Sequence, residues 1–176
     1  PDRFVRFAGR IALEKTPRAE WASRVLAENN VVPATEGLLA LVNTKTSEAD
    51  LNAVFDRLLV FMRRTPLSPG QKIRVLRTFE VAATETASGV SAAMKKQVHD
   101  ALIGQFPARE SGAASNTYIG CAARWPETTT AGCDEVMFTH HIAKVLAYTG
   151  EPTVIPKIFA VIPAGDTAHP SPVPYT

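Results

Sequence analysis

The stretch Ser47-Glu48-Ala49-Asp50-Leu51-Asn52-Ala53-Val54-Phe55-Asp56-Arg57-Leu58-Leu59-Val60-Phe61-Met62-Arg63-Arg64 decides how this chain folds. Its first four residues form a capping-box pattern, a hydroxyl followed three positions later by an acid. Leu51, Val54, Phe55, Leu58, Leu59 and Met62 then recur at the spacing of one helical face. Arg63 and Arg64 fall in the last turn, where cations suit the helix dipole. A helix with one continuous apolar stripe must bury it against a neighbour, so the segment predicts helix-on-helix packing.

The same signals repeat in both directions. Toward the C-terminus, Ser68-Pro69-Gly70-Gln71 gives an N-cap, a proline at N1 and a glutamine at N3. Ile73, Leu76 and Phe79 follow. After a break at Ser88-Gly89, a sixth helix carries Met94, Val98, Leu102 and Phe106, with Pro107 closing it. Toward the N-terminus, a helix from about Pro33 carries Leu38, Leu39, Leu41 and Val42. Before it, Thr16-Pro17 stops one helix and starts another, with Thr16 as N-cap, Pro17 at N1, and Trp21, Val25 and Leu26 on the apolar face, ended by Asn29-Asn30. The first helix places Phe4, Phe7, Ala8 and Ile11 at i, i+3, i+4 and i+7.

Beyond Phe106 the texture changes. Residues from about 108 to 133 are rich in Ser, Thr, Ala and Gly and lack clear periodicity, which predicts a long irregular insertion. Helical pattern resumes at about Asp134 with Phe138, Ile142, Val145 and Leu146. Gly150 suits a C′ position and Pro152 an N1 position. A last helix carries Ile155, Ile158, Phe159 and Ile162, with Pro156 in its opening turn. Sustained alternation and Asn-Gly or Asp-Gly hairpin signals are missing, so strands are not expected. The expectation is an all-α chain of about eight helices in four antiparallel pairs, starting near residues 2, 33, 69 and 134. The first two intervals approach the roughly 40-residue period of HEAT or armadillo arrays, in which thin helix pairs share one core by stacking. This α-solenoid spans 1–163 and is followed by a Pro-rich tail over 164–176.

The formal net charge of +2 is spread along the chain and argues against nucleic acid as a partner. Arg63-Arg64 and Lys95-Lys96 read as solvated helix faces or C-terminal turns. No apolar run reaches the roughly 18 residues of a membrane span, so direct insertion is not expected. The start at Pro1 and the Pro-rich end read as an excised piece of a longer chain.

Reactive chemistry is sparse. Cys-x-x-Cys-His, a Gly-rich phosphate loop, Gly-x-Ser-x-Gly and His-Glu-x-x-His are all missing from the sequence. Neither a catalytic nor a cofactor-binding residue is assigned. Cys121, Cys133, His140 and His141 are zinc-type ligands gathered in one region. However, their spacing fits no zinc pattern, and the adjacent histidines point about 100° apart on a helix. A disulfide would form between Cys121 and Cys133 in an oxidising compartment, and two thiols would persist in the cytosol. For His140, His141, His99 and His169 the preferred reading is a surface imidazole, solvated or hydrogen-bonded. Trp21 reads as core. Trp125, inside the insertion, reads as an anchor or as a partner contact. Glu14, Glu20, Glu28 and Glu36 read as helix-end or surface groups, and Asp134-Glu135 as a helix start.

Asp2 through Glu14, followed by Pro17 and Trp21, resembles the opening of HEAT-like regions in large planctomycete-type secreted proteins. The segments 76–80, 106–108, 142–152 and 155–157 fit the same likeness. There the array sits between a sorbosone-dehydrogenase-like β-propeller and a c-type cytochrome domain. The Cys-containing stretch and His140-His141 depart from that pattern. The resemblance implies a non-catalytic scaffold or docking module in a periplasmic or secreted protein. Its partners would be adjacent domains or subunits, with any redox chemistry in domains outside this chain. A secreted setting also implies the Cys121–Cys133 disulfide, worth about 2–3 kcal/mol to the loop it closes. The alternatives are a protein-binding module that uses the 108–133 loop, and a Cys/His metal-binding domain.

Overall fold

The computed structural model describes residues 2–44, 46–64, 66–84, 89–106 and 131–161, giving the backbone alone at 3, 131–136 and 158–161. Eight α-helices lie among them: α1 (Arg3–Lys15), α2 (Ala22–Ala27), α3 (Val31–Asn43), α4 (Glu48–Arg63), α5 (Pro69–Thr84), α6 (Ala92–Leu102), α7 (Ala131–Thr149) and α8 (Val154–Val161). No strand occurs among the described residues. The all-helical expectation therefore holds.

Local chemistry fixes most of the starts. Ser47 Oγ accepts from the Asp50 amide at 3.2 Å, and Asp50 Oδ2 accepts from the Ser47 amide at 3.0 Å, closing the expected capping box. That bond from the Ser47 amide is the main reason the Asp50 carboxyl lies below its usual range, with Arg18 adding to it. Ser68 and Gln71 reproduce the reciprocal pattern at α5, at 3.3 and 2.9 Å. Asp2, Asn30 and Ser91 cap α1, α3 and α6. Gly150, at φ +74°, ends α7 in the left-handed conformation that a β-carbon penalises.

The prolines account for two displaced boundaries. Thr16 closes α1 as expected but does not open the next helix: its hydroxyl donates to the Ala12 carbonyl at 2.9 Å, a short 3₁₀ turn covers Arg18–Glu20, and α2 begins at Ala22. The Trp21 indole, buried as expected, donates to the Thr16 carbonyl at 3.1 Å and fixes that corner. The last helix starts at Val154 rather than Pro152. This leaves Pro156 in the first turn, where a missing amide costs no intrahelical bond. α7 begins at Ala131, a few residues earlier than expected.

Helix contacts run in two series. α1 packs on α3, α3 on α5 and α5 on α7, while α2 packs on α4 and α4 on α6. Cross-contacts of α2 with α3, α3 with α4, α4 with α5, α6 with α7 and α7 with α8 tie the series together. The core lies between them. Phe55 and Phe79 meet edge to face at 5.1 Å and Tyr148 leans on Phe55 at 6.1 Å, within a core that includes the fully buried Leu38, Leu58 and Ile142. Gly37 lets α2 approach α3, because a β-carbon there would lie 2.6 Å from Val25 Cγ2.

α1 departs from expectation. Phe4, Val5 and Phe7 are 67, 65 and 53 % exposed, and Ala8 is exposed too. The side toward α3 instead carries Arg6, Arg10, Leu13 and Glu14. Arginine stems can cover apolar surface while their guanidiniums reach a carboxylate, and Glu36 on α3 supplies one.

Candidate functional site

The polar residues of the α1–α3–α5–α7 series gather at two carboxylates. The first is Glu36, midway along α3. Arg74 donates to its Oε1 at 3.0 Å, Arg6 lies at 3.4 Å from the same oxygen, and Arg10 lies 3.8 Å from Oε2. Arg10 also pairs with Glu14 at 3.7 Å, and Glu14 accepts from Asn43 at 2.7 Å. Burial, with the Arg6 charge behind it, lowers the Arg74 pKa against the pull of Glu36. The Glu36 side chain is only 16 % exposed. This corrects the reading of it as a helix-end or surface group: it joins three helices.

The second is Glu80 on α5. The Nδ1 of His141, on α7, lies 2.7 Å from Glu80 Oε2, and Lys144, one turn further along α7, donates to Oε1 at 2.7 Å. His141 is 2 % exposed, which corrects the surface reading. Beside it His140 is half-buried, the two rings standing 5.2 Å apart at 73°. Since Glu80 accepts at Nδ1, the neutral ring carries its proton there and leaves a lone pair on Nε2. That Nε2 is buried and has no hydrogen-bond partner among the described residues.

The electrostatics follow from this crowding. Burial pushes the Glu80 carboxyl up, but the bonds from Lys144 and His141 outweigh it and the net shift is downward. Burial lowers His140 to about 4, with the charge of Lys144 acting the same way. Burial also lowers His141, prevailing over the bond to Glu80. Both imidazoles are therefore neutral at pH 7.

Chemically, a carboxylate that orients an imidazole is half of a general-base device. Here the other ring nitrogen is buried, and Nδ1 is bonded across the α5–α7 seam. The geometry supports a structural lock. Two more arginines act in the same way elsewhere. Arg57 and Arg64 bind the Asn29 side chain at 2.9 and 3.0 Å, while their guanidiniums lie over the Phe61 ring. This clamps the α2–α3 turn onto the end of α4.

The remaining candidates separate. Cys121, Trp125 and His169 lie outside the described residues, as do most of the 108–133 insertion and the 164–176 tail. Cys133 falls in α7, where only the backbone is described. Among the described residues no group of three His, Cys, Asp or Glu side chains is placed to hold a metal ion. His99 is partly buried, with Nδ1 3.2 Å from Asp100 and Nε2 3.3 Å from the Thr153 hydroxyl. No helix is long and apolar enough to cross a membrane, among the described residues.

Glu80 escaped the sequence reading, although a signal existed. It stands four residues after Leu76 and seven after Ile73, on the edge of the apolar stripe, where a carboxylate requires a partner. His141 likewise stands four residues after Met137 and four before Val145. No protein family, curated protein or solved structure matches this chain.

Proposed function

We propose that the chain is a non-catalytic helical-repeat scaffold of the HEAT-like kind, which holds adjoining domains or subunits in a fixed geometry. The observation that carries this reading is the pair of contact series, α1–α3–α5–α7 and α2–α4–α6, in which each helix packs on the one two places along the chain. Stacked pairs sharing one core behave in this way. The polar clusters fit the same role, since their charges are spent on one another between helices. The exposed Phe4, Val5 and Phe7 on α1 fit an end helix whose outer side receives an adjoining domain. The resemblance to secreted planctomycete-type proteins supports a setting beside redox domains, in the periplasm or outside the cell.

Two experiments test this. The first removes residues 1–30. In a stacked array the α3–α8 remainder keeps its helicity and melts cooperatively at a lower temperature. Collapse of all cooperative melting would mean that α1 and α2 belong to one indivisible globule. The second reads the coding sequence on either side of Pro1 and Thr176. A propeller-like region before and a Cys-x-x-Cys-His after are expected, and a natural start and stop at these ends would refute the domain-linking role.

A further inference from the structure

Four cationic or protonatable groups meet at this seam: His140, His141 and Lys144 from α7, each interacting with the carboxylate of Glu80, and Arg77 from α5, which acts on both imidazoles. At neutral pH two of the four are charged, and Lys144 already occupies one carboxylate oxygen. Protonating His141 would place an N–H on Nε2, where no acceptor stands among the described residues. The donor would be charged, buried and unsatisfied, the costliest state for a polar group in a packed seam. Protonating His140 would add a second charge 5.2 Å from the first, ring to ring. Among the described residues, four positive groups would then share the seam with the one carboxylate that bonds His141.

The other helices packed on α7 offer no relief. On α6, Lys95 lies over the Tyr148 ring, Lys96 pairs with Asp100, and His99 bonds Asp100 and Thr153. Lys157 on α8 is exposed and cationic. Glu151, in the turn between α7 and α8, acts on Lys96. Among the described residues, Glu80 is the only anion that bonds His141.

We propose that the α5–α7 seam is an acid-sensitive joint, in which proton uptake by His141 and His140 releases α7, with α8 behind it, from α5 while α1 to α5 stay packed. Release would uncover the apolar side of α7, Ile142, Val145 and Leu146, together with Phe79 and Ala82 of α5. The scaffold would thus shorten and expose a new surface in mild acid. This goes beyond the scaffold reading and does not depend on it, since the seam exists whatever the chain supports.

The test is backbone hydrogen exchange on the full chain at about pH 7 and about pH 5, corrected for intrinsic rates, with α3 as internal reference. The expected result is that α7 exchange rises at least about tenfold relative to α3 in acid. In the double variant H140Q/H141Q, which keeps amide donors but cannot take up a proton, α7 and α3 should move together. If that variant does not fold, Lys144→Met serves instead. It removes an exposed cation and frees a carboxylate oxygen for the imidazolium, so the acid response of α7 should shrink. Equal acceleration of α3 and α7 in the native chain would overturn the proposal. So would an undiminished response in H140Q/H141Q, or a larger one in Lys144→Met.

Discussion

The junction at Glu36 and the seam at Glu80 solve one problem with different chemistry. Each places a mostly buried carboxylate, 16 and 20 % exposed, between helices of the same series. At Glu36 the cations are three arginines, which keep their charge across the whole accessible pH range. At Glu80 they are a lysine and a buried histidine, with a second histidine beside it. The first arrangement is indifferent to protons on its cationic side. The second binds helices only while its imidazoles stay neutral. Position in the series does not explain the contrast; the choice of cation does.

Glu80→Ala breaks the comparison most severely. It strips the buried His141 of its partner and leaves the exposed Lys144 without its counter-charge. Loss of about 3 kcal/mol is expected, the scale for orphaning one side of a buried polar pair. Denaturant unfolding followed by circular dichroism measures it. A loss below about 1 kcal/mol would mean that the seam is held by its apolar contacts alone.

Lowering the pH tests the same contrast without a mutation. His140 has a folded pKa of about 4 against about 6.5 in the unfolded chain. The unfolded chain therefore takes up protons first as pH falls. Stability should be constant above about pH 6.5, decline from there to about pH 4, and lose nothing more on this account below. His141 acts in the same direction. Glu80 is depressed instead, so its contribution is present above its ordinary carboxylate range and is lost only in stronger acid. Between pH 6.5 and 5 the histidines alone carry the effect. With half-exposed His140 discounted for solvent screening, roughly 1–2 kcal/mol is expected. Thermal melts in that interval should shift for the native chain and stay level for H140Q/H141Q.

Much of the architecture was legible because it rests on short-range signals. The Ser47–Asp50 box, the Ser68–Gln71 box, Gly150 and the apolar stripes of α4, α5 and α7 all act within one or two turns, so spacing alone exposes them. Three kinds of information were not local. The Phe4, Phe7, Ala8 and Ile11 stripe was visible, but which side of α1 meets α3 depends on Glu36, far away in sequence. Thr16-Pro17 stops one helix and fits the start of another, but the chain first passes through a 3₁₀ turn, with the Trp21 indole tied back to the Thr16 carbonyl, before α2 begins. Glu80 and His141 lie on core stripes 61 residues apart, and only packing brings them together. Residue type alone favours the surface for a histidine, whereas the register of His141 against Met137 and Val145 puts it inside.

Glu36→Gln gives the smallest effect and the sharpest discrimination. The amide keeps the size of the side chain and some of its hydrogen bonds, but three guanidiniums then share a neutral group, with Glu14 as the remaining carboxylate on Arg10. These guanidiniums are partly exposed, so the penalty is repulsion through a solvent-screened medium, about 1 kcal/mol. Salt separates the two sites. The Debye length falls from roughly 10 Å at 0.1 M to roughly half that near 0.5 M, which shortens the reach of the repulsion. The Glu36→Gln penalty should shrink by more than half over that range. The Glu80→Ala penalty should largely persist, because most of it comes from the buried His141 deprived of its partner, a loss that salt does not screen. Equal salt sensitivity in the two variants would mean that both carboxylates act through long-range charge, and that the distinction between an arginine junction and a histidine seam has no energetic content.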